Sequence, residues 1–413
     1  MGLTSGLFGW LTIIAAVGFG ALTVWLWPRL ARQRPTRIAA RAGLVIGGQA
    51  LVLIAVVTLL NDSFGFFGSW SELLGSGTVR QVWTAGAGTA ASPARLVTIT
   101  GSSIGTTYLG GSALHLSGGQ LATGPGASAL TARAGAGKGA GANSPARSGA
   151  VLRITVHGQY SGISEYDEYV YLPPQYFQPA YARARFPVVL ALTGYPNDTI
   201  NLMHLLHLPA IAARLTGAGQ IRPAVYLMLN PSVALPRDTE CTNIPAGPQV
   251  ATFFGRDVPL AIEHAFRVRS ARSGWSVIGY STGAYCAAKL AMLYPDQFAA
   301  AVGMSGYYTA ARDRTTGNLY GSSAAYRNEN NLDWRLRHLP APPVSVLVAS
   351  SASGEKNLPG TLAFLHLIHP PMRGFSLILR HGGHNYFTWR RELPQALRWL
   401  SHLLTPALPG SAG

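Results

Sequence analysis

Charge is scarce in this sequence and thiol scarcer: Asp and Glu together number 16 in 413 residues, and Cys241 and Cys286 are the only cysteines. Two cysteines are too few for a disulfide-built scaffold or a cysteine-rich zinc module. No phosphate-cradling glycine loop or dinucleotide fingerprint stands out, so nothing points to a nucleotide cofactor. The histidine pairs His204/His207 and His366/His369 lie on apolar helical stretches without a carboxylate or third ligand at zinc spacing, and no metal is expected. A formal net charge of +16 would suit nucleic acid, but five of those charges crowd one short segment. The others are scattered without the aromatic interleaving of a nucleic-acid patch, and read as solvated surface suited to an anionic envelope.

What is plentiful is apolar bulk near the front and glycine throughout. Residues 7–27 carry no charge and, at about 1.5 Å per residue, are long enough for a hydrocarbon core of roughly 30 Å. Residues 42–60 form a second run in which Gln49 is the only strongly polar side chain. Between them stand Arg29, Arg32, Arg34, Arg37 and Arg41 without an acid, the mark of a cytoplasmic loop. Residues 1–70 are therefore expected to be an anchor of two transmembrane helices, with the N-terminus and everything after Leu60 outside the cytoplasm. Trp10, Trp25, Trp27 and Trp70 suit the interfaces. A cleaved signal peptide fits less well, because the first six residues hold no basic group. Residues 71–150, mostly Gly, Ala, Ser and Thr, bury too little to order themselves and read as a low-complexity extracytoplasmic linker, with 95–100 the one stretch suited to a strand. An oxidising exterior fits a Cys241–Cys286 bridge that would pin its loop beside residue 281; two buried free thiols are the other reading.

Residues 151–405 alternate short β-rich runs with helical ones, the pattern of a parallel sheet covered on both faces, and 406–413 form a tail. Strands are expected at 151–157, 166–172, 188–192, 224–229, 275–279, 299–304, 344–349 and 375–379. Helices are expected at 202–215, 250–266, 282–293, 358–368 and 393–404. No helix separates the first two strands, so they should pair antiparallel at an edge. Gly279-Tyr280-Ser281-Thr282-Gly283 falls between a strand and a helix, where a sharp turn needs small flanking residues and exposes the serine hydroxyl. The fold expected is the α/β-hydrolase fold: class α/β, about eight mostly parallel strands flanked by helices.

A serine at such a turn needs a base and an acid, which in this fold follow it in that chain as acid, then His. Glu355 is the only acid between the strand at 344–349 and His381-Gly-Gly-His384. Its expected role is to accept the imidazole Nδ1–H. His384 is preferred as base because it lies on the loop proper, whereas His381 abuts the strand and is the rival. The backbone N–H of Thr282, with that of Tyr195 in the loop after 188–192, should face the developing oxyanion. Tyr386 and Trp389 are expected to pack the loop, and residues 307–339 to cap the site.

The region 151–404 resembles the bacterial esterase family that includes esterase D type enzymes and the antigen 85 mycolyltransferases. The resemblance rests on Tyr169-Val-Tyr-Leu-Pro-Pro174, Gly279-Tyr-Ser-Thr-Gly283, Tyr294-Pro-Asp-Gln-Phe298 with Met304-Ser-Gly306, and His384-Asn-Tyr-Phe-Thr-Trp389. It implies Ser281 as nucleophile, His384 as base, Tyr195 as oxyanion donor and, by position alone, Glu355 as acid. Mycolyltransferases carry an Asp and an Arg where this chain has Thr193 and Pro196, so their sugar site is not reproduced. The twin apolar runs and linker look more like membrane-anchored family members of actinobacteria. The expectation is a membrane-anchored extracytoplasmic serine esterase acting on acyl esters, lipid or glycolipid among them, with no cofactor. An acyltransferase and a catalytically silent envelope binding protein are the alternatives.

Overall fold

The computed structural model describes residues 6–31, 34–64, 96–108, 116–117, 144–309 and 311–409. Trp70, most of the expected linker and residues 410–413 lie outside the described residues. The chain divides into two units, Met1–Thr78 and Val79–Gly413.

In the first unit, helices Gly6–Leu26 and Pro35–Phe64 are joined through a short 3-10 turn, Pro28–Leu30. The ring of Phe19 lies where a Cβ on Gly47 would meet it at 2.9 Å, so the bare glycine lets the two helices close up. Both helices are long and apolar enough to cross a membrane, with mean hydropathy 2.0 within Leu7–Leu26 and 2.4 within Pro35–Leu60. Apolar side chains cover them all round, and Leu7, Trp10, Val17, Val24, Ile46 and Leu53 are exposed. A helix apolar on every side belongs in apolar surroundings. The intervening arginines stack on tryptophan, Arg29 at 3.9 Å over Trp25 and Arg41 at 4.3 Å over Trp27.

The second unit is built on one ten-stranded sheet: β1 Val97–Ile104, β2 Leu116–Ser117, β3 Ala150–His157, β4 Ser164–Leu172, β5 Val188–Leu192, β6 Val225–Leu229, β7 Trp275–Tyr280, β8 Ala300–Met304, β9 Ser345–Ser351 and β10 Arg373–Leu379. Their order is β10-β9-β8-β7-β5-β6-β4-β3-β1-β2. From β10 to β6 neighbours run parallel, and from β6 to β2 antiparallel. In β5 the period of two sends Val188, Leu190 and Leu192 into the core layer on one face, and Val189 and Ala191 into that on the other. Both faces being dry, the strand reads as a continuous apolar run, as parallel strands do.

Four expectations are corrected. The antiparallel pair β3–β4 is not at the edge, because β1 and β2 continue the sheet beyond β3; β1 overlaps 95–100, the stretch within the linker interval expected to suit a strand. The helix expected at 202–215 breaks at His207, which adopts φ 57° ahead of a new helix, Leu208–Gly217. Pro209 forces that break: it lacks an N–H, and its ring would clash with the carbonyl four residues back. The helix expected at 250–266 passes through a π-turn at Phe253–Asp257. The last helix begins at Tyr386, seven residues early, because Asn385 caps it by accepting from the Thr388 N–H at 3.1 Å.

Cys241 and Cys286 are joined as a disulfide across 45 residues of sequence. Closing a loop of that size restricts the unfolded chain by about 4 kcal/mol in the entropy model. The Cys241→Ser/Cys286→Ser double variant should therefore lose stability of about that size by denaturant titration, with a lower Tm than the parent.

Candidate active site

Strand β7 ends at Tyr280, and the next residue, Ser281, takes φ 55° and ψ −122° before the helix Thr282–Leu293 begins. A non-glycine residue in that region carries strain of order 1–3 kcal/mol, held only when the surroundings over-determine it. The flanking glycines do so by close approach. A Cβ on Gly279 would lie 2.3 Å from the Gly283 carbonyl oxygen, and one on Gly283 would lie 2.4 Å from the carbonyl oxygens of Leu192 and Thr193. The Ser281 N–H is tied to the Met304 carbonyl at 3.0 Å. The hydroxyl is thus pushed out at the carboxyl end of the sheet.

His384 meets it there. Its Nε2 is 2.9 Å from Ser281 Oγ, the one contact in which the hydroxyl proton can pass to an imidazole. The ring stands edge-on to Trp389, centroids 5.2 Å apart, and Trp389 is stacked at 4.3 Å on Tyr280, the last residue of β7. Tyr280 and Tyr386 share a hydroxyl hydrogen bond of 2.7 Å beneath them. Crowding by protein lowers the His384 pKa, opposed by the Glu355 charge, although one side of the residue is open to solvent. His381 is directed elsewhere, its Nδ1 2.6 Å from Ser353 Oγ.

No hydrogen bond joins Glu355 to His384. The Glu355 carboxylate instead accepts from the hydroxyl of Ser305 through Oε1 and from that of Ser350 through Oε2 at 3.2 Å. Ser305 in turn accepts from the Trp389 indole N–H at 2.8 Å. The acid is thus attached to the histidine loop by a relay through Ser305 and Trp389. Sequence reasoning gave Trp389 packing alone and assigned Ser305 no role. The signal available was Met304-Ser-Gly306 at the end of β8, where Ser305 takes φ 53°.

The loop after β5 runs against the nucleophile: a Cβ on Gly194 would sit 2.8 Å from the Ser281 Cβ. That approach brings Tyr195 beside the turn. Neither the Tyr195 nor the Thr282 N–H has a main-chain acceptor. Among the described residues, no group of three His, Cys, Asp or Glu could hold a metal ion.

Fold and site together define a serine hydrolase of the α/β-hydrolase class. Residues 164–338 match the protein family described as "Putative esterase". A ferulic acid esterase superposes with a TM-score of 0.53 at 18% identity, covering 62% of this chain and 97% of that one. The S-formylglutathione hydrolase of Agrobacterium tumefaciens does so with 0.51 at 15% identity, covering 62% and 96%. At such identities the likeness speaks for the fold. No curated protein matches the sequence.

The pKa directions set a pH dependence. A base works when neutral, so with its pKa depressed below 6.5 the acid limb of kcat/KM should lie below that value. Glu355 raises the His384 pKa; Glu355→Gln should move the limb still lower while reducing kcat. A pH–rate profile of both proteins on a soluble aryl ester checks the order.

Proposed function

We propose that the protein is a membrane-anchored carboxylic ester hydrolase working through an acyl-enzyme on Ser281. The observation that carries the reading is the 2.9 Å contact between His384 Nε2 and Ser281 Oγ, on a serine strained outward at the sheet's carboxyl end. Ser281 Oγ attacks the acyl carbonyl as His384 Nε2 takes its proton. The tetrahedral oxyanion accepts hydrogen bonds from the N–H groups of Thr282 and Tyr195, each worth about 3 kcal/mol. Collapse expels the alkoxide, which leaves with the proton held by His384, and water then repeats the sequence on the acyl-enzyme. Glu355 stabilises the imidazolium by its charge, and in the resting state the Ser305–Trp389 relay ties it to the histidine loop; apo contacts of this kind often tighten only when substrate is bound.

Ser281→Ala should abolish both esterase turnover and labelling by a fluorophosphonate. A wild type that takes no label would favour a silent binding protein on a hydrolase fold. Product analysis with a labelled acyl ester, with and without sugar or glycerol acceptors, checks whether water takes the acyl group; acylated acceptor in place of free acid would make the enzyme an acyltransferase.

The membrane reading rests on the two apolar helices and the arginines stacked between them, with charge density that marks the cytoplasmic side. The catalytic unit is then extracytoplasmic, where a disulfide persists. Removing residues 1–64 should move esterase activity from the membrane pellet to the supernatant on fractionation, with kcat on a soluble ester unchanged.

A further inference from the structure

One face of the helix that follows the nucleophile is fastened to a single stretch of another loop. Thr282, Cys286 and Lys289 stand at spacings of four and three residues, hence on one helix face, and each meets residues 238–242. The Thr282 hydroxyl donates to Asp238 Oδ2 at 2.8 Å. Cys286 is bonded to Cys241. Lys289, fully buried, donates to the Glu240 carbonyl at 3.0 Å and to Thr242 Oγ1 at 2.8 Å. Asp238 is itself buried, and its other oxygen accepts from Ser232 Oγ at 3.2 Å and from the Glu240 N–H at 3.1 Å.

The same loop holds the other half of the oxyanion site and the cap. The Tyr195 hydroxyl donates to the Pro236 carbonyl at 2.6 Å. Arg237 donates to the carbonyl of Thr316 at 2.8 Å, and Tyr307 donates to Glu240 Oε1. Both candidate oxyanion donors therefore belong to residues whose side chains are tied to the segment 236–238.

We propose that Asp238 is a positioning residue for the oxyanion hole: by fixing Thr282 from a loop that also holds Tyr195, it keeps both main-chain N–H groups aimed at the site where charge develops. The inference rests on the hydrolase reading above. The strained turn at Ser281 makes it physical, since the Thr282 peptide has no acceptor of its own and its direction depends on what grips the residue. A buried hydroxyl bound to a carboxylate is a strong grip, and removing it leaves Asp238 Oδ2 without its donor.

Thr282→Val removes the hydroxyl at nearly constant shape, and Thr282→Ser keeps it. With Thr282→Val, kcat per active site should fall about 10- to 100-fold with KM nearly unchanged, as for partial loss of an oxyanion donor; Thr282→Ser should recover most of it. Affinity for a trifluoromethyl ketone that adds to Ser281 as a tetrahedral oxyanion should fall by the same factor as kcat/KM, while product carboxylate binds as before. Asp238→Asn should show the same pattern, and decides the matter if Thr282→Val does not fold. Wild-type kcat in both variants, or a loss of kcat with ketone affinity intact, would overturn the proposal. If either occurs while Ser281→Ala is dead, only the positioning role fails; an active Ser281→Ala would instead sink the hydrolase reading.

Discussion

The chain's chemistry depends on a backbone contact that admits no side chain. Where β7 turns into the following helix, the Gly279 Cα sits against the Gly283 carbonyl, and Gly283 against the carbonyls that end β5. With Cβ atoms there, the helix would be levered off the sheet and Ser281 would lose the strained geometry that presents its hydroxyl. The cost of the turn is small beside the burial of the strands and helix it joins, since β7 is buried along its length and the helix nearly so. The core thus holds a reactive conformation that local preference would relax.

Around that turn, polar contacts are arranged in two separate networks. On one side, His384 stands edge-on to Trp389, which is itself stacked on Tyr280, and Ser305 links the indole to the Glu355 carboxylate. On the other, Asp238, Glu240 and Lys289 are packed out of water against the elbow helix. Burial raises the pKa of Glu240 and lowers that of Lys289, each opposing its charged form, and their mutual attraction works the other way. Buried ionisable groups of this sort are costly unless satisfied, and those here are spent on holding a loop in place next to the nucleophile. The segment carrying Tyr307 and Thr316 is tied to that loop through Tyr307 and Arg237.

The sequence by itself determined the parts of this protein governed by local periodicity and by spacing. Alternating apolar runs marked all eight strands from β3 to β10 to within a few residues, and the elbow was legible because small residues must flank a serine between strand and helix. It also put Glu355 and His384 on the segments that follow β9 and β10. Pro209 and Asn385 were there to be read as a helix break and a cap, but the apolar pattern ran past the first and began after the second. The stretch 95–100 was legible as a strand and lies largely within β1, but its pairing with β3, which extends the sheet, was not, since a strand's partner is set by tertiary packing rather than by its own residues.

Only the tertiary structure decided which histidine faces Ser281, since His381 and His384 differ by three residues and the direction of each ring is set by what packs on it. The same holds for Glu355, whose partners Ser305 and Ser350 come from the ends of neighbouring strands. The grip of residues 236–242 on Thr282, Cys286, Lys289 and Tyr195 joins segments more than 40 residues apart. A side chain's partner across such a separation is chosen by sheet order and helix packing, quantities that no local pattern of residues encodes.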